Sequence, residues 1–306
     1  MKPTYLLTID VETTSIARNG LFDDIGLKVL KDGLPPLLDL MDLYGFKSTF
    51  FYTGYIARKF PEVVKIVYEK GHEIASHGLV HEPSKAFDVL SAKEQIFHLK
   101  ESKKILEDII GEKVISFRAP ALRVNKDTPF ALAETGFKYD SSISPQRIDM
   151  FLSFGGFKKM HWLTAPRVPY FTKHDNLAKK GDGPILEIPI SSILLPYIGT
   201  TLRIMPGTIK FVRNILKTES LRNPQKPIVY LFHPNEILFE DTKGPINRRA
   251  KSLVGYFFGD YLRRNLKLKN LGNNALKLTE NEIKHFSEFE FQTIRNFADE
   301  LLKTKI

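Results

Sequence analysis

From residue 4 to about 235, short apolar runs alternate with helix-length amphipathic stretches. A strand covered on both faces reads as an apolar run, and a covering helix as an amphipathic one, so this rhythm predicts parallel strands joined by crossover helices. Seven strands are predicted, near Thr4–Asp10, Lys47–Thr53, His72–Ser76, Val114–Arg118, Phe137–Asp140, Ile185–Pro189 and Ile228–His233. Glycine closes the intervening helices in Leu43-Tyr44-Gly45-Phe46, Glu69-Lys70-Gly71-His72, Ile109-Ile110-Gly111 and Glu134-Thr135-Gly136-Phe137, where a left-handed residue suits the position after a helix. Pro61 fits a first helical turn, and Ser91-Ala92-Lys93-Glu94 has the form of a capping box. Between Ser144 and Gly183 the pattern fades into aromatic, Gly- and Pro-bearing sequence, which reads as long loops over one end of the sheet.

A chain of 306 residues with 42% hydrophobic content can bury one large α/β core and carry an extension. The expected division is residues 1–240 for the α/β unit and 241–306 for a helical extension. Cysteine is absent, which excludes disulfides, thiolate metal sites and a cysteine nucleophile. Any metal must then sit on His and carboxylates. The N-terminus runs directly into a strand without a secretory h-region, and no stretch approaches the roughly 18 apolar residues of a membrane span. The expectation is a soluble, cytoplasmic protein. The formal charge of +10 favours an anionic partner, and much of it is local: Asn247 to Lys269 holds Arg248, Arg249, Lys251, Arg263, Arg264, Lys267 and Lys269 against Asp260, a net of +6.

The chemistry-bearing residues stand at predicted strand ends. Ser76-His77-Gly78-Leu79-Val80-His81 follows an apolar strand, and if the chain enters a helical turn there, His77 and His81 project from one side and can grip one cation. In Thr8-Ile9-Asp10-Val11-Glu12, strand geometry puts Asp10 and Glu12 on one side and Val11 on the other. A carboxylate added to two imidazoles makes a three-ligand site with open positions, as hydrolytic metals need. Phe117-Arg118-Ala119-Pro120 offers an Arg that could orient a catalytic carboxylate, and Tyr230-Leu231-Phe232-His233-Pro234 offers a general acid. Each signal is weak alone, because lone histidines and arginines are more often structural or solvated.

Together, an acid pair, HxxxH, RxP, an Asp and a final Leu-x-His, in that order, resemble the polysaccharide deacetylase family, also called the NodB-homology domain or carbohydrate esterase family four. The resemblance spans roughly residues 4 to 240. It implies a distorted (β/α)7 barrel with a mostly helical C-terminal extension, and a divalent metal, most often Zn²⁺, on His77 and His81. It further implies Asp10 as general base, Arg118 steadying that base, Asp140 in Tyr139-Asp140-Ser141 holding the Arg, and His233 as general acid. Leu231 would line the acyl pocket, and Pro120 falls in the substrate-binding motif. Most members carry two consecutive acids in the first motif, whereas here Val11 takes the second place, so Glu12 must serve as the metal carboxylate. Asp23 and Asp24 are rival carboxylates on the next loop. The Asp-Val-Glu form is similar to the branch of exopolysaccharide deacetylases, and the lipid-linked aminoarabinose deformylases are close. Leu186-Glu187-Ile188-Pro189-Ile190-Ser191 and Leu195-Pro196-Tyr197-Ile198-Gly199 are similar to the same branch.

The resulting expectation is hydrolysis of the N-acyl amide, acetyl or formyl, of an amino sugar, with an oxyanion donor expected near Phe51–Gly54. Without an export signal, an intracellular acceptor fits better than assembled wall polymer, and a polyprenyl-phosphate-linked sugar is the expected partner. The basic segment interleaves Leu253, Val254, Tyr256, Phe257, Phe258, Tyr261 and Leu262. That composition suits a helix lying on an anionic bilayer at the inner membrane face, and also a helix packed on the barrel with a solvated basic face. The stretch Ile193–Met205, near Lys210 and Arg213, could add to such a surface. Nucleic-acid binding is not expected, since no aromatic-basic recognition motif is present. Two rivals keep the fold: a metal-independent amidohydrolase of small ring amides, and a catalytically silent glycan-binding module.

Overall fold

The computed structural model describes residues 1–148, 159, 162–240, 248, 250 and 252–304. All seven predicted strands are present: β1 (Thr4–Val11), β2 (Thr49–Tyr52), β3 (Glu73–Ser76), β4 (Ser116–Phe117), β5 (Tyr139–Asp140), β6 (Leu186–Glu187) and β7 (Ile228–Phe232). They pair in parallel in the order β7-β1-β2-β3-β4-β5-β6, with helices covering the outside, in an α/β sheet curled into a distorted barrel. Every residue of β1 is buried, as its continuous apolar run predicts for a strand covered on both faces. The sheet does not close by a full ladder. Between β6 and β7 the seam is stitched by the Ser191 amide donating to the Val229 carbonyl at 3.1 Å and the Val229 amide to Ser191 Oγ at 2.9 Å.

The punctuation falls where the sequence places it. Gly45, Gly71, Gly111 and Gly136 all adopt positive φ, between 67° and 79°. Pro61 opens the helix Pro61–Glu69, and Ser91 with Glu94 forms a reciprocal capping box on Ala92–Ile110. The stretch read as loops differs: Tyr170–Lys173 and Asn176–Lys180 form an antiparallel hairpin that extends the sheet from β6. Its alternation of buried Tyr170 and Thr172 with exposed Phe171 and Lys173 is a strand signature masked by the surrounding Gly and Pro. Within the same stretch, 149–158 and 160–161 lie outside the described residues.

From Ser252 to Thr304 the chain is mainly helical, and its last part shares the barrel's core. Glu290–Phe291 adds a short parallel strand beside Thr4–Tyr5 of β1. The helix Ile294–Lys303 buries Ile294, Phe297, Ala298 and Leu301, and Tyr197 Oη donates to Glu282 Oε2 on the helix Asn273–His285 at 2.6 Å. Among the described residues no helix is long and apolar enough to cross a membrane.

The register brings the chemistry to one level. Ile9 pairs with Phe232, Val11 with Tyr52, Tyr52 with Ser76, Ser76 with Phe117 and Phe117 with Asp140. The next residues along, His77, Arg118, Ser141 and His233, therefore emerge together at the C-terminal ends of the strands, the end where parallel α/β folds build their sites.

Candidate active site

Glu12, His77 and His81 form a group in which one ligand atom from each lies within 4.8 Å of the others. His77 is buried and accepts no competing proton: burial, the largest effect, pushes its pKa down to about 4, so the imidazole is neutral. Its Nδ1 lies 2.8 Å from the Arg118 carbonyl, which can only accept, so Nδ1 carries the hydrogen and Nε2 offers a lone pair to the site. Burial alone would raise the Glu12 carboxyl, but His81 at 2.9 Å, with His233 and His77 beyond, outweighs it and holds the group well below the usual carboxylate range. Glu12 Oε2 is buried with the His81 ring as its one close polar neighbour. Two imidazoles, the buried one neutral, and one ionised carboxylate fit a divalent ion, and Zn²⁺ accepts this donor set.

The two histidines do not converge through a helical turn as the spacing suggests. Residues 77–82 are irregular, and the bend is made at Gly78, with φ +72°. A Cβ at Gly78 would be strained by that φ and would also crowd the Phe87 ring at 3.1 Å and Pro120 at 3.3 Å. Pro120 thus buttresses the histidine loop from its own turn. The Gly54 and Tyr55 amides bind the Gly78 and Leu79 carbonyls at 2.8 Å, fixing this loop to the end of β2.

Asp10 stands outside the metal group. Its Oδ1 accepts from Arg118 Nη1 at 2.8 Å, and its Oδ2 lies 3.8 Å from His77 Nε2. Arg118 is fully buried, over the Phe51 ring at 4.3 Å, and also donates to Thr8 Oγ1 at 3.0 Å, the Ser141 carbonyl at 2.9 Å and Ser141 Oγ at 2.9 Å. The residue that holds the guanidinium is therefore Ser141, not Asp140. Asp140 turns to the other side of the strand, where it faces its register partner Glu187. Ser142 Oγ donates to Asp140 Oδ1 at 2.6 Å and accepts from the Ala119 amide at 2.8 Å, so Asp140 supports the backbone beside Arg118. Burial, then the charge of Asp140, pushes the Glu187 carboxyl well above its ordinary range. Asp140 Oδ2 and Glu187 Oε2 have no other donor, so Glu187 carries the proton of this buried pair.

His233 follows β7, beside Asp10 on β1. Burial works against its charged form, but the Glu236 hydrogen bond at 3.0 Å and the carboxylates of Glu236, Asp10 and Glu12 outweigh it and raise its pKa. Glu236 is itself held down to about 2: burial opposes this, and buried Arg203 and His233 overcome it. Arg203 pairs with Glu236 and donates to the Lys267 and Lys269 carbonyls at 2.6 Å each. Glu236 and Arg203 were not singled out from the sequence. The i, i+3 spacing of His233 and Glu236 was visible; Arg203, thirty residues earlier, carried no signal. Leu231 is buried in β7, bridged to Ile198 across the seam.

A cavity of about 380 Å³ opens beside His81, lined among others by Thr13, Phe22, Asp23, Thr53, Tyr55 and Glu82. Asp23 binds Tyr55 Oη at 2.6 Å and pairs with Lys59, and Asp24 pairs with Arg18, so neither rival acid joins the metal group. The Thr53, Gly54 and Tyr55 amides near Phe51–Gly54 are all bonded to carbonyls. The Ala121 amide also faces the centre and is engaged there, donating to His81 Nε2 at 3.1 Å from a turn of consecutive left-handed residues, Ala121 and Leu122, with φ 53° and 52°.

Comparison with known proteins agrees with this geometry. Residues 19–139 match the family model described as polysaccharide deacetylase, a span that contains His77, His81, Arg118 and Pro120. The chain is 32% identical over 144 residues to the peptidoglycan deacetylase-like protein FGM2 of Gibberella zeae, covering 46% of this chain and 42% of that protein. It is 33% identical over 123 residues to a peptidoglycan deacetylase of Helicobacter pylori, covering 40% and 41%. The match thus spans less than half the length of these curated relatives. In fold, a Mycobacterium smegmatis structure described as a polysaccharide deacetylase aligns with TM-score 0.64 at 18% identity, over 100% of this chain and 92% of that one. Puue allantoinase aligns with TM-score 0.60 at 15% identity, over 97% and 89%. Over residues 19–139 the chain is therefore similar to the polysaccharide deacetylase family, and its fold is the one those structures share.

Proposed function

We propose that this chain hydrolyses the N-acyl amide, acetyl or formyl, of an amino sugar with a divalent metal held by Glu12, His77 and His81. The observation that carries the reading is the convergence of that triad, the Asp10–Arg118 pair and the His233–Glu236 pair at one end of the sheet. The bound ion would supply Lewis-acid polarisation of the amide carbonyl and an activated water. Asp10, fixed by Arg118, takes the proton from the attacking water. The Ala121 amide donates to His81 Nε2 here; with that lone pair given to the ion, the amide would be released to donate to the developing oxyanion. His233, kept protonated by Glu236, delivers a proton to the departing amine. Leu231 and Pro120 border the acyl end. The finer substrate we infer is an amino sugar on a polyprenyl-phosphate carrier, supported by the cationic, apolar surface described below.

The allantoinase likeness in fold favours one second reading, metal-independent hydrolysis of a ring amide. Acyl release from a panel of N-acylated amino sugars, before and after chelation and on re-addition of Zn²⁺, tests the first reading. Turnover that chelation abolishes and Zn²⁺ restores supports it; turnover indifferent to chelator supports the second.

Glu236 gives a prediction of its own. The acid His233 works only when protonated, so its raised pKa extends activity to higher pH. Glu236→Gln removes the interactions that raise it, and the alkaline limb of the pH–rate profile shifts to lower pH. An unmoved limb would contradict the assignment of that limb to His233.

A further inference from the structure

Leu253, Val254, Phe257, Phe258, Tyr261 and Leu262, six large apolar side chains within ten residues, are between 40% and 77% exposed. They fall in pairs four residues apart along one helical segment, which runs through Leu253–Gly255, a π-helical Tyr256–Leu262 and Arg263–Lys267. The wider i→i+5 turns bring positions four apart closer to one line than α-helical winding does, so the pairs make a stripe. Exposing such a run to water is unfavourable, and a contiguous patch of this kind marks an interaction surface.

The opposite side of the segment fastens it to the rim of the active site. Asp260, 2% exposed, accepts from the Ala250 amide at 2.9 Å and from Asn19 Nδ2 at 3.3 Å. Arg264 Nε donates to the Ala17 carbonyl at 2.7 Å. Ala17 and Asn19 lie in the turn joining Thr14–Ser15 to Gly20–Leu21, and Leu21 with Phe22 lines the cavity. Asp260 is the only acid between residues 248 and 269, and it points inward. Arg248 and Lys269 are exposed, and Arg263 and Lys267 half-buried, so the segment joins an apolar stripe to basic side chains while its own single acid is turned inward. Arg249 and Lys251 lie outside the described residues. Arg264 serves as an anchor and not as part of the cationic face.

We propose that Arg248 and residues 252–269 form a docking surface for an anionic lipid bilayer, the apolar stripe entering the interface and the basic side chains meeting the headgroups. A second copy of this chain is a poorer occupant. An isologous contact through the same patch would bring the two cationic margins together. Docking places the mouth of the cavity at the membrane surface, where a sugar carried on a lipid phosphate reaches Glu12, His77 and His81 without leaving the leaflet. That consequence rests on the deacetylase reading; the docking does not, and it is measured without turnover.

The test is sedimentation of the full chain with vesicles of phosphatidylcholine alone or with about a third phosphatidylglycerol. Wild type pellets with the anionic vesicles, and less so as salt rises. Phe257→Ser with Phe258→Ser weakens binding at least tenfold, whereas Phe257→Leu with Phe258→Leu retains it, which separates the loss of apolar insertion from a loss of fold. Arg248→Ser, Lys267→Ser and Lys269→Ser together weaken it by roughly a hundredfold on anionic vesicles. Absence of pelleting, or equal pelleting of wild type and both serine variants, overturns the proposal. So does a solution dimer that the Phe-to-Ser variant abolishes, since the stripe is then a self-association surface.

Discussion

Asp10→Asn is expected to lower turnover of an N-acylated amino sugar by roughly 10²- to 10⁴-fold while leaving the bound metal in place, the range typical of a lost general base. Metal retention follows from position, because Asp10 lies outside the group formed by Glu12, His77 and His81 and is bonded instead to Arg118. The same substitution is expected to destabilise the fold. It leaves the guanidinium of a fully buried Arg118 without its counter-charge, and breaking a buried pair by removing one partner costs about 3–5 kcal/mol. The bonds of Arg118 to Thr8 and Ser141 survive and keep the loss toward the lower end of that range. Glu12→Ala should do the reverse, losing metal first. If Asp10→Asn releases the ion and Glu12→Ala keeps it, the two acids have exchanged roles.

The second large effect is at His233. His233→Ala keeps the metal group intact and is expected to reduce turnover by roughly 10²- to 10⁴-fold, because the departing amine then lacks its proton donor. The loss should be smaller for substrates whose leaving amine is less basic, since these need less assistance. Folding should be little affected: the His233 ring is partly exposed, and Glu236 keeps its pair with Arg203. Turnover within about twofold of wild type would exclude His233 as the acid.

The parts of this molecule that follow from local pattern were legible in the sequence, and the parts that follow from tertiary approach were not. All seven strands could be placed because buried parallel strands are continuous apolar runs, and the four helix-ending glycines because only glycine occupies the left-handed position cheaply. The Asp10–Arg118 pair, and Glu12 as a carboxylate beside His77 and His81, follow from the family resemblance that the motif order carries and not from local pattern. Ser141 as the partner of Arg118 was one residue away from the expected Asp140. A one-residue step along a strand reverses the side-chain direction, and only the register shows which residue faces the guanidinium. The left-handed turn at Ala121 carries no glycine to announce it, so the amide it presents could not be read in advance. The strand Glu290–Phe291 is two residues long and exists because β1 leaves an edge free beside Thr4–Tyr5.

The central claim is that Glu12, His77 and His81 hold a catalytic divalent ion, and metal content of the purified protein tests it most directly. Elemental analysis should find about one equivalent of a divalent ion in wild type, and almost none in the double variant His77→Ala, His81→Ala after identical loading. The variant should remain folded by circular dichroism, because β3 and its neighbours do not depend on those side chains for their ladders. Loss of the ion together with loss of acyl release is the result this account predicts. Equal metal content in the two proteins, or full acyl release by a metal-free variant, would contradict it.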